Sequence, residues 1–184
     1  MSRVEWDTRY STGDRVPERD PSRLLLDFSY MLPKGRALDI ACGEGRNAVY
    51  LARQGYQVDA IDISGVAIKN ARMAAKGLDI NFIVADLETF SILKDTYNLI
   101  INFYYLQRTL IPEIKKGLKK DGLLVFETYT IEHQFIGHPK NPEFLLKPNE
   151  LLTLFNDLHI VYYREGVIEV DGKKAIASLV GRKI

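Results

Sequence analysis

An apolar strand that delivers an acid and then two glycines straight into a helix constrains this chain more than any other stretch: Ala37-Leu38-Asp39-Ile40-Ala41-Cys42-Gly43-Glu44-Gly45-Arg46-Asn47-Ala48. Gly43 and Gly45 have no Cβ, so the backbone can turn tightly there and approach a ligand closely, while the following helix offers unpaired N–H groups. The segment Gly43 to Ala48 also satisfies G-x-G-x-x-A, so a dinucleotide competes with a nucleoside that carries an amino acid. Asp39, at the base of the loop, opposes a pyrophosphate and attracts an ammonium.

S-adenosylmethionine combines an ammonium, a ribose and an adenine, and acids recur where the last two would lie. Tyr56-Gln57-Val58-Asp59-Ala60-Ile61-Asp62-Ile63 reads as a second strand ending in Asp62, about twenty residues beyond the loop, where a ribose-binding acid is expected. Asn81-Phe82-Ile83-Val84-Ala85-Asp86-Leu87 reads as a third strand ending in Asp86, whose carboxylate can accept from the adenine amine. Taken singly, each acid reads as a helix N-cap or a solvated strand end. Three of them at the carboxyl ends of successive strands read together as the ligand edge of a doubly wound sheet.

At these residues the chain resembles the class I S-adenosylmethionine-dependent methyltransferases, whose D-x-G-x-G-x-G loop stands here as Asp39-Ile40-Ala41-Cys42-Gly43-Glu44-Gly45, with Ala41 in place of the usual first glycine. The likeness extends to the small tellurite-resistance-type methyltransferases in Leu38 to Asn47, in Gly55-Tyr56-Gln57-Val58-Asp59-Ala60-Ile61-Asp62, and in Ala177-Ser178-Leu179-Val180-Gly181-Arg182-Lys183. The resemblance implies an α/β fold with a doubly wound, mostly parallel seven-stranded sheet that ends in an antiparallel hairpin. It also implies S-adenosylmethionine as cofactor, S-adenosylhomocysteine as product, and a cofactor set of Asp39, Ala41, Cys42, Gly43, Gly45, Asn47, Asp62, Ile63, Asp86, Leu87, Asn102 and Phe103. Its cofactor half is distinctive and its substrate-facing segments match loosely, so it supports the cofactor more than any named acceptor.

A chain of 184 residues with 46% hydrophobic residues is ample for one core and short for two domains. One domain is expected over 1–184, with an N-terminal cap segment and helix over 1–33 and a cofactor-binding core over 34–184. A net charge of +1 gives no footprint for nucleic acid or an anionic membrane, no apolar run is long enough to span a bilayer, and the N-terminus lacks an apolar signal core. A cytoplasmic protein acting on a small molecule is expected; the oligomeric state is not legible. The single cysteine, Cys42, excludes an internal disulfide and reads as a small packed residue, and His133, His138 and His159 show no metal-ligand spacing with it. No metal site is expected.

Further elements follow from caps and breakers. Ser22 to Tyr30 reads as a short helix, Asn47 to Arg53 as the helix after the loop, and Ser64 as the cap of a helix that runs to Lys76 and stops at Gly77. Tyr97 to Phe103 reads as a fourth strand, Ile111 to Lys119 as a helix and Gly122 to Thr128 as a fifth strand. Asn149 to Asn156 reads as a helix, and the strands His159 to Val170 and Lys173 to Arg182 meet at Asp171-Gly172, a short-hairpin signal. Lys115, Lys116, Lys119 and Lys120, beside Glu113 and Asp121, read as the wet face and end of a helix. The longest loop, about 131–147, has the length of a substrate loop.

Methyl transfer from a sulfonium needs two partners held in line and water excluded, so no obligatory base is implied and no catalytic residue is assigned. Asn102-Phe103-Tyr104-Tyr105 ends the fourth strand without the prolines of the N/D-P-P-Y/F signature of base-amine methyltransferases. Trp6, Arg9 and Tyr10 fall on one face of a helical turn and would cover the cofactor or staple the N-terminus to the sheet. With Tyr104, Arg108 and His133 they form the substrate-pocket candidates; His138 is a further polar candidate. Two other readings stand: an NAD(P)-dependent oxidoreductase and a non-catalytic S-adenosylmethionine-binding interaction domain.

Overall fold

The computed structural model describes residues 2–12, 20–169 and 172–184. The first helix, α1 (Arg3–Ser11), begins with a capping box in which the Ser2 hydroxyl accepts from the Glu5 amide and the Glu5 carboxylate from the Ser2 amide. The stretch read as one helix after Ser22 is α2 (Arg23–Asp27) followed by a 3-10 turn over Ser29–Met31. Then come β1 (Arg36–Ile40), α3 (Arg46–Arg53), β2 (Gln57–Asp62), α4 (Gly65–Ala74), β3 (Ile80–Val84), β4 (Tyr97–Phe103), α5 (Ile111–Gly117), β5 (Leu118–Tyr129), α6 (Glu150–Leu154), β6 (His159–Glu169) and β7 (Lys173–Arg182).

The seven strands form one sheet in the order β3-β2-β1-β4-β5-β7-β6. The first five run parallel. β7 enters antiparallel between β5 and β6, with Glu127 opposite Ser178 and Tyr163 opposite Leu179. The doubly wound sheet with an antiparallel ending is therefore as expected. Gly172 takes φ +93°, while Asp171, the other half of the expected turn, lies outside the described residues.

Alternation along the strands sorts the core into two layers. Ala37, Ala60, Ile101 and Val125 pack with α2, α3 and α4 on one face; Leu38, Ile61, Ile100 and Phe126 pack with α5 and α6 on the other. By the same period, Asp39, Asp62, Phe103, Glu127 and Ser178 share the first face, at or near the carboxyl ends of the parallel strands. The switch point of the strand order falls between β1 and β4, where such sheets bind ligands.

Several boundaries differ from expectation, and α4 and α6 both end two residues early, at Ala74 and Leu154. β3 stops at Val84, opposite Asp62, because the Asp86 carboxylate accepts from its own neighbour Glu88 N at 2.9 Å and turns the chain. The helix read to Lys119 ends at Gly117, where a Cβ would press on Ile92 at 2.4 Å, and β5 starts at once. Between Tyr97 and Leu99 the β4–β5 register slips, so Lys119, Lys120 and Asp121 bulge outward with Asp121 at φ +63°. The lysine cluster is solvated and paired, Lys115 with Asp157 at 2.7 Å and Lys116 with Glu113 at 2.8 Å. Among the described residues no helix is long and apolar enough to cross a membrane.

Candidate functional site

The loop after β1 holds its shape through backbone bonds, Cys42 N to Ile61 O and Gly45 N to Cys42 O, both 2.9 Å. It visits the left-handed region at Ala41 (φ +52°), Gly43 (+54°) and Gly45 (+79°). Gly45 lets α3 sit close to its neighbours, for a Cβ there would stand 3.0 Å from the Ala71 Cβ and 3.2 Å from the Phe82 ring. Gly43 faces α1 instead, and its Cβ would meet the Tyr10 hydroxyl at 2.9 Å. Asn70 on α4 steadies the loop through Glu44 at 2.9 Å.

Asp39 lies beneath this loop, 2% exposed, with Oδ2 lacking any hydrogen-bond partner. Burial pushes its carboxyl up to about 8, against the pull of the Ala48 amide and the Arg46 charge. Such a group lacks a cation. Asp62, also buried, accepts from Gly43 N at 2.8 Å and Ser64 N at 2.9 Å, tying the loop to the start of α4. Burial raises its pKa, and those same amides hold it down.

Two neighbours complete the rim. Asp7 on α1 accepts from the Ser64 hydroxyl at 2.6 Å and Val66 N at 3.2 Å, so the first helix caps the fourth beside Asp62, and these bonds hold the Asp7 carboxyl low. On the far side, Asp86 is exposed, Leu87 buried and Ile63 half-buried. Tyr105 reaches among the acids: burial and then the charges of Asp86, Glu88 and Asp62 raise its phenol. Asn102 donates to Tyr105 O at 2.8 Å and Gln107 donates to Leu87 O at 3.2 Å, which folds the loop after β4 toward the end of β3.

Beyond the switch point, Tyr104 sits at φ +59°, its amide donating to Glu127 O at 2.8 Å. Its ring lies 5.0 Å from that of Tyr129 with the Lys174 ammonium 5.3 Å away, and Tyr129 stacks on His133 at 4.0 Å. Glu127, 8% exposed, accepts from the Ser178 hydroxyl at 2.7 Å.

Residues 37–122 match a family model described as a methyltransferase domain. TehB of Haemophilus influenzae (strain Rd), which carries the name of an S-adenosyl-L-methionine-dependent methyltransferase, is 26% identical over 157 residues, covering 79% of this chain and 54% of that protein. A protein of Geobacillus sp. (strain WCH70) that is also named a methyltransferase is 35% identical over 114 residues, covering 54% of this chain and 46% of its own. In fold, the crystal structure of TehB from Haemophilus influenzae matches with a TM-score of 0.75 at 20% identity, over 99% of this chain and 67% of that one.

Residues 37–122 form a methyltransferase domain, and the chain is similar to proteins named S-adenosylmethionine-dependent methyltransferases. It spans about half the length of the curated relatives it matches. The residues present fit the methyltransferase cofactor on two observations: an unpartnered buried carboxyl oxygen suits an ammonium, and Gly43 leaves the loop backbone bare where a Cβ would press on the Tyr10 hydroxyl of the covering helix.

The remaining residues singled out from the sequence are placed as follows. Trp6, Arg9 and Tyr10 do share a face of α1, with Arg9 5.3 Å over the Trp6 ring and Trp6 stacked on Tyr10 at 5.9 Å. Asn47 is turned to α2, its amide bonded to Ser22 N at 2.8 Å and Ser22 Oγ at 3.2 Å. Cys42 packs against the core, and burial pushes its thiol up. Arg108 grips Glu150 through two bonds of 2.6 and 3.0 Å and the carbonyls of Glu143 and Leu145, which fastens the 131–147 loop. His133 is buried, accepts from Ala175 N at 3.3 Å and donates to His138 O at 3.2 Å, a neutral ring whose pKa burial lowers. Sequence reasoning passed over Asp7, Glu127 and Ser178. For the last two the period-2 alternation of their strands was the available signal; for Asp7 only the docking of α1 on α4 supplies one.

Proposed function

We propose that this chain transfers a methyl group from S-adenosylmethionine to a small-molecule acceptor, and that it holds the cofactor across the carboxyl edge of β1, β2 and β4. When bound, S-adenosylmethionine supplies a methyl group on a sulfonium. Asp39 receives the ammonium, the backbone from Ala41 to Gly45 cradles the amino-acid part, and Asp62 accepts from the ribose hydroxyls. Ile63, Asp86 and Leu87 border the adenine, and Asn102 and Phe103 border the reacting end. Trp6, Arg9 and Tyr10 on α1 cover the site and keep water from it.

The single observation that carries this reading is the buried, unpartnered Oδ2 of Asp39 beneath the glycine loop. A dinucleotide would set a pyrophosphate against the same carboxyl. Thermal unfolding separates the two: S-adenosylhomocysteine at a hundred times its Kd should stabilise the protein by about 2.7 kcal/mol, and NADH should leave the transition unmoved. The reverse pattern overturns the proposal. Incubation with S-adenosylmethionine and a panel of thiols, phenols, amines and metalloid oxyanions, read by mass spectrometry, then identifies the acceptor.

A further inference from the structure

Glu127 lies near the end of β5 on the sheet face that also carries Asp39 and Asp62, and the register sets it opposite Phe103 on β4 and Ser178 on β7. β4 pairs directly with β1, so Glu127 stands about 10 Å across the sheet from the cofactor loop at the usual strand spacing. A carboxylate this buried needs donors. It has one in the hydroxyl of Ser178, which donates at 2.7 Å, and after burial the Glu127 charge is among the causes that keep the proton on the neighbouring Tyr104 phenol. Tyr104 is held in a left-handed backbone conformation that a bulky residue adopts only under constraint, and Tyr129 backs its ring. Arg46, at the start of α3, acts electrostatically on both Asp39 and Tyr104, which joins this cluster to the base of the cofactor loop. The structural role of Glu127, bridging β5 to β7, needs only one hydrogen bond. A carboxylate bonded to a serine, with a phenol nearby and on the sheet face that carries Asp39 and Asp62, is equipped for more.

We propose that Glu127, positioned by Ser178 and flanked by Tyr104, receives the methyl acceptor through a hydrogen bond from its nucleophilic N–H, O–H or S–H group and takes that proton as the methyl group arrives. The inference rests on the methyl-transfer reading and deepens it to an acceptor class: protic nucleophiles rather than free oxyanions, which a buried carboxylate repels. The acceptor's lone pair forms the bond to the methyl carbon, the carbon–sulfur bond opens to leave neutral S-adenosylhomocysteine, and the proton of the same heteroatom passes to Glu127. The positive charge of the sulfonium and the negative charge of the carboxylate thereby disappear together.

The test compares the wild-type protein with Glu127→Gln and Tyr104→Phe. Calorimetric titration with S-adenosylhomocysteine comes first; no binding by the wild type refutes the methyl-transfer reading itself, independently of Glu127. With that complex formed, ligand-observed NMR measures binding of whichever thiol, phenol or amine the wild type methylates. Glu127→Gln should bind S-adenosylhomocysteine as the wild type does, hold the acceptor about tenfold less tightly and lose about a hundredfold in kcat, within the range of a lost general base. The loss should shrink along a series of acceptors of rising acidity, since an ionised nucleophile has no proton to give. Tyr104→Phe, which keeps the ring, should show a smaller loss of the same kind. The proposal is overturned if Glu127→Gln turns over normally, if its loss is the same along the series, or if the wild type binds S-adenosylhomocysteine yet methylates selenite alone or none of the protic panel.

Discussion

A carboxyl group buried without a partner on one oxygen keeps its proton in the fold long after the unfolded chain has released it. The folded pKa of Asp39, about 8, lies above the ordinary 3.8, so unfolding releases a proton between these values and stability falls as pH rises through that window, levelling above it. Asp39→Asn should therefore flatten this slope and raise the stability of the ligand-free protein at pH 7 by a few kcal/mol, as read by chemical denaturation at pH 5 and pH 8. Gly45→Ala makes the opposite case, since its Cβ would crowd Ala71 and Phe82 at a left-handed φ; a loss of about 1–3 kcal/mol is expected in the same denaturation experiment. Asp39, Gly43 and Gly45 were legible in the sequence because a strand, a turn and a helix start are local events with fixed spacing. Asp7 and Glu127 were not, because their roles depend on α1 reaching α4 and on β5 lying between β4 and β7.

Among the elements, α1 is the one whose attachment is thin: none of its residues is buried, and it is held to α4 through Asp7. Asp7→Ala removes the acceptor for Ser64 and Val66 and should cost about 1 kcal/mol, the usual worth of a helix cap, while loosening α1 enough to speed proteolysis near Arg9. Saturating S-adenosylhomocysteine should slow that cleavage in the wild type if α1 orders over the ligand, and equal rates with and without it would make α1 a staple only. The helix itself was readable from the spacing of Trp6, Arg9 and Tyr10. Its landing place was not, since no pattern within eleven residues encodes a contact with residue 64. The end of β3 was misread for a related reason: Asp86 looks like a strand terminus in sequence, but its side chain bonds Glu88 N and turns the chain before it.

Across the whole molecule, the parallel half of the sheet and its antiparallel close followed from the alternation of strands and helices and from the last two strands, yet the insertion of β7 between β5 and β6 did not. Both orders of a terminal hairpin satisfy the same hydrophobic pattern. That insertion brings Ser178 to Glu127, so the proposed acceptor side of the site is a product of topology while the proposed cofactor side is largely a product of one contiguous motif. The central claim, that Asp39 answers the ammonium of S-adenosylmethionine, is tested most directly by calorimetric titration of S-adenosylhomocysteine at pH 7 in buffers of different ionisation enthalpy. Wild-type protein should bind one equivalent and release about one proton, because the ammonium draws Asp39 into its charged form. Asp39→Asn should bind roughly tenfold or more weakly with no proton released, the loss of a charge-assisted bond. Equal affinity in the two proteins, or binding by the wild type without proton release, would contradict the account.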